Sequence, residues 1–106
     1  MKRVLSGIKP TGDAHLGSYL GAMKHWPQTQ QADTEVFFFI ADLHALNSRI
    51  EPTVMTSRTL DLIAWLLTLG VDSQHSPIFV QSQVPAHAEL AWILNNYATM
   101  GELSRM

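Results

Sequence analysis

Val36-Phe37-Phe38-Phe39-Ile40-Ala41 is an unbroken apolar run, with no polar residue alternating along it. A strand with one wet face alternates, whereas a continuous run reads as a strand buried on both faces of a parallel sheet. Parallel neighbours cannot be joined by a tight hairpin and need a crossover, usually a helix. The flanking sequence supplies them. Val4-Leu5 reads as the end of a first strand, and Lys9 to Asp13, with Pro10 and Gly12, as a loop. From His15 to Gln31, Leu16, Leu20, Met23 and Pro27 mark one side of a helix that Pro27 should end or kink near Trp26. After the apolar run, Pro52-Thr53 opens a helix to Leu69. Leu60, Ile63, Ala64 and Leu67 share one of its faces, Leu62, Trp65, Leu66 and Leu69 widen that face, and Gly70 reads as its C′ cap. Pro77 leads into a third strand, Ile78-Phe79-Val80, and Pro85 opens a helix over Ala86 to Tyr97. Gly101 interrupts before a further segment starts at Glu102. The order β-α-β-α-β-α predicts an α/β fold, a parallel sheet with flanking helices and right-handed crossovers.

A chain of 106 residues, 46% apolar and 15% charged, is one domain with a modest core rather than a disordered tail. Its net charge of −2 gives no global basic field for nucleic acid, so any RNA contact is local. There is no cysteine, hence no disulfide or thiolate metal site. The five histidines, His15, His25, His44, His75 and His87, lack paired ligand spacing, so no protein-bound metal is expected. Met1-Lys2-Arg3 is soon followed by Gly, Lys and Pro, unlike a signal peptide, and no apolar stretch approaches a membrane span.

The densest chemistry lies between Ser6 and Gly21, where Gly7, Gly12 and Gly17 recur at intervals of five. The dinucleotide fingerprint G-x-G-x-x-G does not match. Gly7 and Gly12 have the spacing of a P-loop, but Asp13-Ala14 stand where Lys and Ser/Thr are required, and an aspartate there repels phosphate. What remains is a strand, a glycine-bearing loop and a helix start, which presents free backbone N–H groups to an anion. His15 can donate to a phosphate, and Gly17 lets a flat base approach the backbone. On spacing alone the same glycines serve equally well as turn residues, with Gly17 and Gly21 allowing close helix packing.

Ser6 to Ala22 resembles the tryptophanyl-tRNA synthetases, class I enzymes that share a nucleotide-binding core with the tyrosyl enzymes. His15-Leu16-Gly17-Ser18 stands where that family carries its HIGH motif. Ile40-Ala41-Asp42-Leu43-His44-Ala45, Gln81 through His87 to Trp92, and Met100 to Met106 resemble further blocks in the family's order. The ordered set spans nearly the whole chain and favours the tryptophan over the tyrosine enzyme.

The resemblance implies a Rossmann-like core, with residues 1–106 as the N-terminal, incomplete part of the catalytic nucleotide-binding domain. It also implies adenylation of tryptophan by ATP with Mg²⁺, transfer to tRNA(Trp), a homodimer, a cytoplasmic enzyme and no membrane. It places ATP against Lys9, Pro10, Thr11, His15, Gly17 and Ser18, with His15, Gly17 and Ser18 catalytic, and tryptophan near Leu5, Gly7, Asp42 and His44. Three residues depart from the family pattern: Ser18 for Asn, Lys9 for Gln, and Leu5 for a Phe that walls the tryptophan pocket. Without the resemblance, Asp42 reads as a helix cap and His44 as a hydrogen-bonding residue at the edge of the core. Leu90, Ala91, Trp92, Ile93 and Leu94 read as core packing, yet in the family they lie by the dimer interface, so an exposed patch is expected of a single copy. Trp26 and Trp65 read as packing residues. The KMSKS motif is not in the sequence, so little activity is expected of this segment alone. The alternatives are a short nucleotide-binding or dimerisation module without catalysis, or another nucleotidylyltransferase with a HIGH-type loop.

Overall fold

The apolar run lies in the middle strand of a three-stranded, wholly parallel sheet of order β1-β2-β3, formed by β1 (Lys2–Ile8), β2 (Thr34–Ile40) and β3 (Ile78–Val80). The computed structural model describes residues 2–12, 16–21 and 23–106. Val4, Ser6 and Ile8 pair with Val36, Phe38 and Ile40, and the latter two pair in turn with Ile78 and Val80. These residues share one face of the sheet, because side chains alternate along each strand. Val36, Phe38 and Ile40 are buried, and Phe38 stacks on Trp26 with ring centroids 4.8 Å apart. Met23, Leu62, Leu66 and Val71 complete this core.

The opposite face differs from the expectation of burial on both sides. Phe37, Phe39 and Phe79 are only half-buried there, and Leu5 is 61% exposed. The core cluster is drawn from one face alone. A continuous apolar run fixes that both faces are greasy, not that both are covered.

The helix expected over 15–31 is divided into α1 (Leu16–Gly21), a 3-10 turn at Met23–His25 and α2 (Trp26–Thr29). Pro27 sits in the first turn of α2 instead of ending a helix at Trp26. That is where a residue without an N–H loses no helical bond. A Cβ on Gly21 would meet nothing within 4 Å, so the close packing expected there is not what keeps it glycine.

After the short α3 (Asp42–Ala45), the long helix α4 (Pro52–Thr68) turns Leu62 and Leu66 to the core, with Ile63 and Leu69 against it. Leu60, Leu67 and Trp65 are instead exposed. From Leu60 to Leu69 only Asp61 and Thr68 are polar, so periodicity alone does not select the buried stripe. The end of α4 does. Gly70 takes φ 96°, and its N–H donates to the Leu67 carbonyl at 3.1 Å while Val71 N–H donates to Leu66 at 3.1 Å. This is the Schellman arrangement, with its apolar contact supplied by buried Val71 and Leu66.

The last helices, α5 (Pro85–Asn95) and α6 (Met100–Leu103), contain no buried residue. Gly101 lies inside α6 and does not interrupt it, because Thr99 and Glu102 form a capping box. The Thr99 amide and hydroxyl hold the Glu102 carboxyl below the usual range. The Cα radius of gyration of 15.2 Å exceeds the roughly 13 Å of a closed domain of this length, as protruding helices require.

Candidate nucleotide and amino-acid site

The carboxyl ends of β1 and β2 are tied together by Ala41 N–H donating to the Ile8 carbonyl at 2.8 Å. The loop after β1 and the segment Asp42–His44 therefore leave the sheet side by side. In open parallel sheets, ligands bind in the crevice outside this end.

Within the loop, Pro10 is fully buried, Lys9 and Gly12 are exposed, and Thr11 is intermediate. The Thr11 carbonyl accepts from Arg58 Nη1 at 3.2 Å, which fastens the loop to α4 across 47 positions of sequence. Gly12 and Arg58 also line a cleft of about 390 Å³, together with Asp61, Leu62, Trp65 and Thr68. Trp65, read from sequence as packing, is nearly half exposed in that cleft. Arg58 was not legible as a site residue, because nothing in its spacing links it to the loop. His15 lies outside the described residues, as does the side chain of Ser18. Gly17 is the second residue of α1.

Asp42 caps no helix of its own. Its Oδ1 accepts the Ser82 N–H at 3.0 Å, joining the end of β2 to the 3-10 turn Gln81–Gln83 that follows β3. Asp42 also borders a cavity of about 470 Å³ with Met55, Thr59, Ile63, Val80 and Gln83. His44 is exposed on α3. Gln81 Oε1 and His87 Nδ1 are buried atoms without a hydrogen-bond partner among the described residues. Such atoms are ordinarily met by water or by another part of the protein.

Gly7 lies under an aromatic ring. It is the register partner of Phe39, and a Cβ on Gly7 would overlap the Phe39 ring. Gly7→Ala is expected to lower stability by about 1–3 kcal/mol, the usual effect of overpacking, read from the urea unfolding midpoint. An unchanged midpoint would mean that the ring swings aside freely.

α5 exposes Leu90, Trp92 (73%), Ile93 and Leu94, the patch expected of a single copy, and Tyr97 after it and Met100 in α6 are exposed as well. Among the described residues no helix is long and apolar enough to cross a membrane.

Comparison with known proteins agrees with this arrangement. The family described as tRNA synthetases class I (W and Y) matches residues 1–106. A tryptophan–tRNA ligase of Corynebacterium glutamicum is 52% identical over 105 residues, covering 98% of this chain and 30% of that enzyme. The crystal structure of tryptophanyl-tRNA synthetase from Mycoplasma pneumoniae superposes with a TM-score of 0.91 at 36% identity, over 100% of this chain and 31% of that one. The Campylobacter jejuni enzyme, solved with ADP and tryptophan, gives 0.87 at 40% identity, over 97% of this chain and 32% of that one. The chain thus spans less than a third of the length of each of these relatives. With its whole length matched, it belongs to the class I tRNA synthetases of the tryptophan and tyrosine type.

Proposed function

We propose that residues 1–106 are the N-terminal part of the catalytic nucleotide-binding domain of a cytoplasmic tryptophan–tRNA ligase. The observation that carries this reading is the junction of the β1 and β2 ends through Ala41 and Ile8, which sets the glycine loop beside Asp42–His44. The reading draws further support from the tryptophan ligase at 52% identity and from the related structure that holds ADP and tryptophan.

In this reading ATP, brought with Mg²⁺, lies against Lys9, Pro10, Thr11, His15, Gly17 and Ser18, and tryptophan against Leu5, Gly7, Asp42 and His44. A tryptophan carboxylate oxygen attacks the α-phosphorus of ATP. The bond between that phosphorus and the bridging oxygen to the β-phosphate breaks, the bridging oxygen leaves with pyrophosphate, and tryptophanyl-adenylate remains. The tRNA(Trp) terminal hydroxyl then takes the acyl group and releases AMP. The first step needs no general base, because an α-carboxyl is ionised at neutral pH. Catalysis there is alignment plus stabilisation of charge on the phosphoryl oxygens. Lys9 adds an ammonium where phosphate charge gathers, and backbone N–H groups of the loop add dipoles.

The expected long helix behind this loop is only six residues in α1, so local amides, not an extended dipole, act at its start. The exposed apolar side of α5 and α6 fits a second copy of the same protein, giving a homodimer in which that surface is covered. No catalysis is expected of residues 1–106 alone.

The test is tryptophan-dependent exchange of pyrophosphate into ATP by the complete protein carrying this segment. Exchange with tryptophan and none with tyrosine is expected. Exchange driven by tyrosine would overturn the specificity, and ATP binding without any amino-acid-dependent exchange would favour a non-catalytic nucleotide-binding module.

A further inference from the structure

Position 5 in this chain is an exposed leucine, so the aromatic surface expected beside tryptophan is missing there. The same face of the sheet nevertheless carries a row of residues in register across all three strands, Gly7, Phe39 and Phe79. The row lies one residue before the strands end, at the edge where ligands bind in parallel sheets. The Phe39 ring lies over Gly7, filling the place of a side chain at that position. Phe39 stacks on Phe79 with centroids 5.6 Å apart and planes 21° off parallel. Phe79 is held in turn by His87, whose ring is tilted 55° to it at 6.2 Å. Both phenylalanines are half-buried, so part of their surface stays open. Leu5 and Gly7, two apart on β1, lie on the same face of the sheet, with Phe37 and Phe39 as their partners on β2.

We infer that Phe39, backed by Phe79, supplies the aromatic wall against which the indole packs in this protein, in place of an aromatic residue at position 5. This rests on the tryptophan site proposed above. The glycine at position 7 is then the counterpart of the wall, since any side chain there would expel the ring. Aromatic pairs favour offset-stacked or edge-to-face contacts, which makes such a wall selective for a flat ring over an aliphatic side chain of equal area.

The experiment compares the complete ligase with its Phe39→Leu variant and with Phe39→Leu combined with Leu5→Phe. Leucine keeps apolar bulk over Gly7. Tryptophan-dependent exchange is followed at varied tryptophan and varied ATP. The KM for tryptophan is expected to rise about tenfold in Phe39→Leu, with the KM for ATP unchanged and kcat within about twofold. Restoring an aromatic ring with Leu5→Phe is expected to recover most of that loss, which a packing defect would not allow. Tryptophan exchange indifferent to Phe39→Leu, or an equal loss for both substrates that Leu5→Phe does not repair, overturns the inference while leaving the enzyme's function standing. Absence of tryptophan exchange in the unsubstituted protein overturns the functional reading and the wall with it.

Discussion

Phe38→Ala is expected to lower stability by about 3–5 kcal/mol. Phe38 is 0% exposed at the centre of the middle strand. Its removal would empty the contact with Trp26 at 4.8 Å and leave Leu62, Leu66 and Ile40 facing a cavity. The stack itself adds roughly 0.5–1.5 kcal/mol beyond area burial. Total stability of a domain is only about 5–15 kcal/mol. The variant is therefore expected to unfold at a much lower urea concentration, followed by Trp26 near-UV circular dichroism. Phe37→Ala is the matched control. It stands on the next residue of the same strand but on the open face, where Arg3 pairs with Glu35 at 2.6 Å and lies over the Phe37 ring at 5.9 Å. A half-buried ring leaves a smaller cavity, so its loss should be well under half that of Phe38. Equal losses would mean that both faces are covered in solution.

That contrast marks what was legible in the sequence. The run from Val36 to Ala41 announced a parallel sheet, and the strands and their intervening helices follow in the expected order. Caps were legible too, because Gly70 and Pro52 act through local backbone geometry. Face selection was not. Leu60 and Leu62 are equally apolar, and only the three-dimensional placement of Leu66 against Val71 decides which is inside. For the candidate site, the segments came to attention through resemblance, while the contacts between them join distant residues. Asp42 meets Ser82 across 40 positions and Arg58 meets Thr11 across 47. Neither pair leaves a periodicity, and the overlap of Phe39 with Gly7 depends on strand register, which spacing does not encode.

If the proposed function holds, His15→Ala in the complete protein is expected to reduce kcat for tryptophan-dependent pyrophosphate exchange by about 10²–10³-fold, the usual effect of deleting one preorganised donor to developing charge. The residue follows the loop that Arg58 fastens at Thr11 and directly precedes Leu16, the first residue of α1. In the proposed reaction, charge on the phosphoryl oxygens redistributes as the α-phosphorus becomes five-coordinate, and an imidazole donor gains more from that state than from bound ATP. A group of this kind lowers kcat when lost and leaves the KM values nearly unchanged, because it adds little to ground-state binding. His15→Gln retains a side-chain N–H and should recover part of the rate. Tryptophan affinity serves as the internal control, since the proposed tryptophan contacts Leu5, Gly7, Asp42 and His44 are untouched. If kcat fell less than about tenfold, or if the whole loss appeared in the KM for ATP, His15 would be a binding residue only. The rate enhancement would then rest on Lys9 and the backbone amides after β1, because those are the other positive groups the proposal sets against the phosphates.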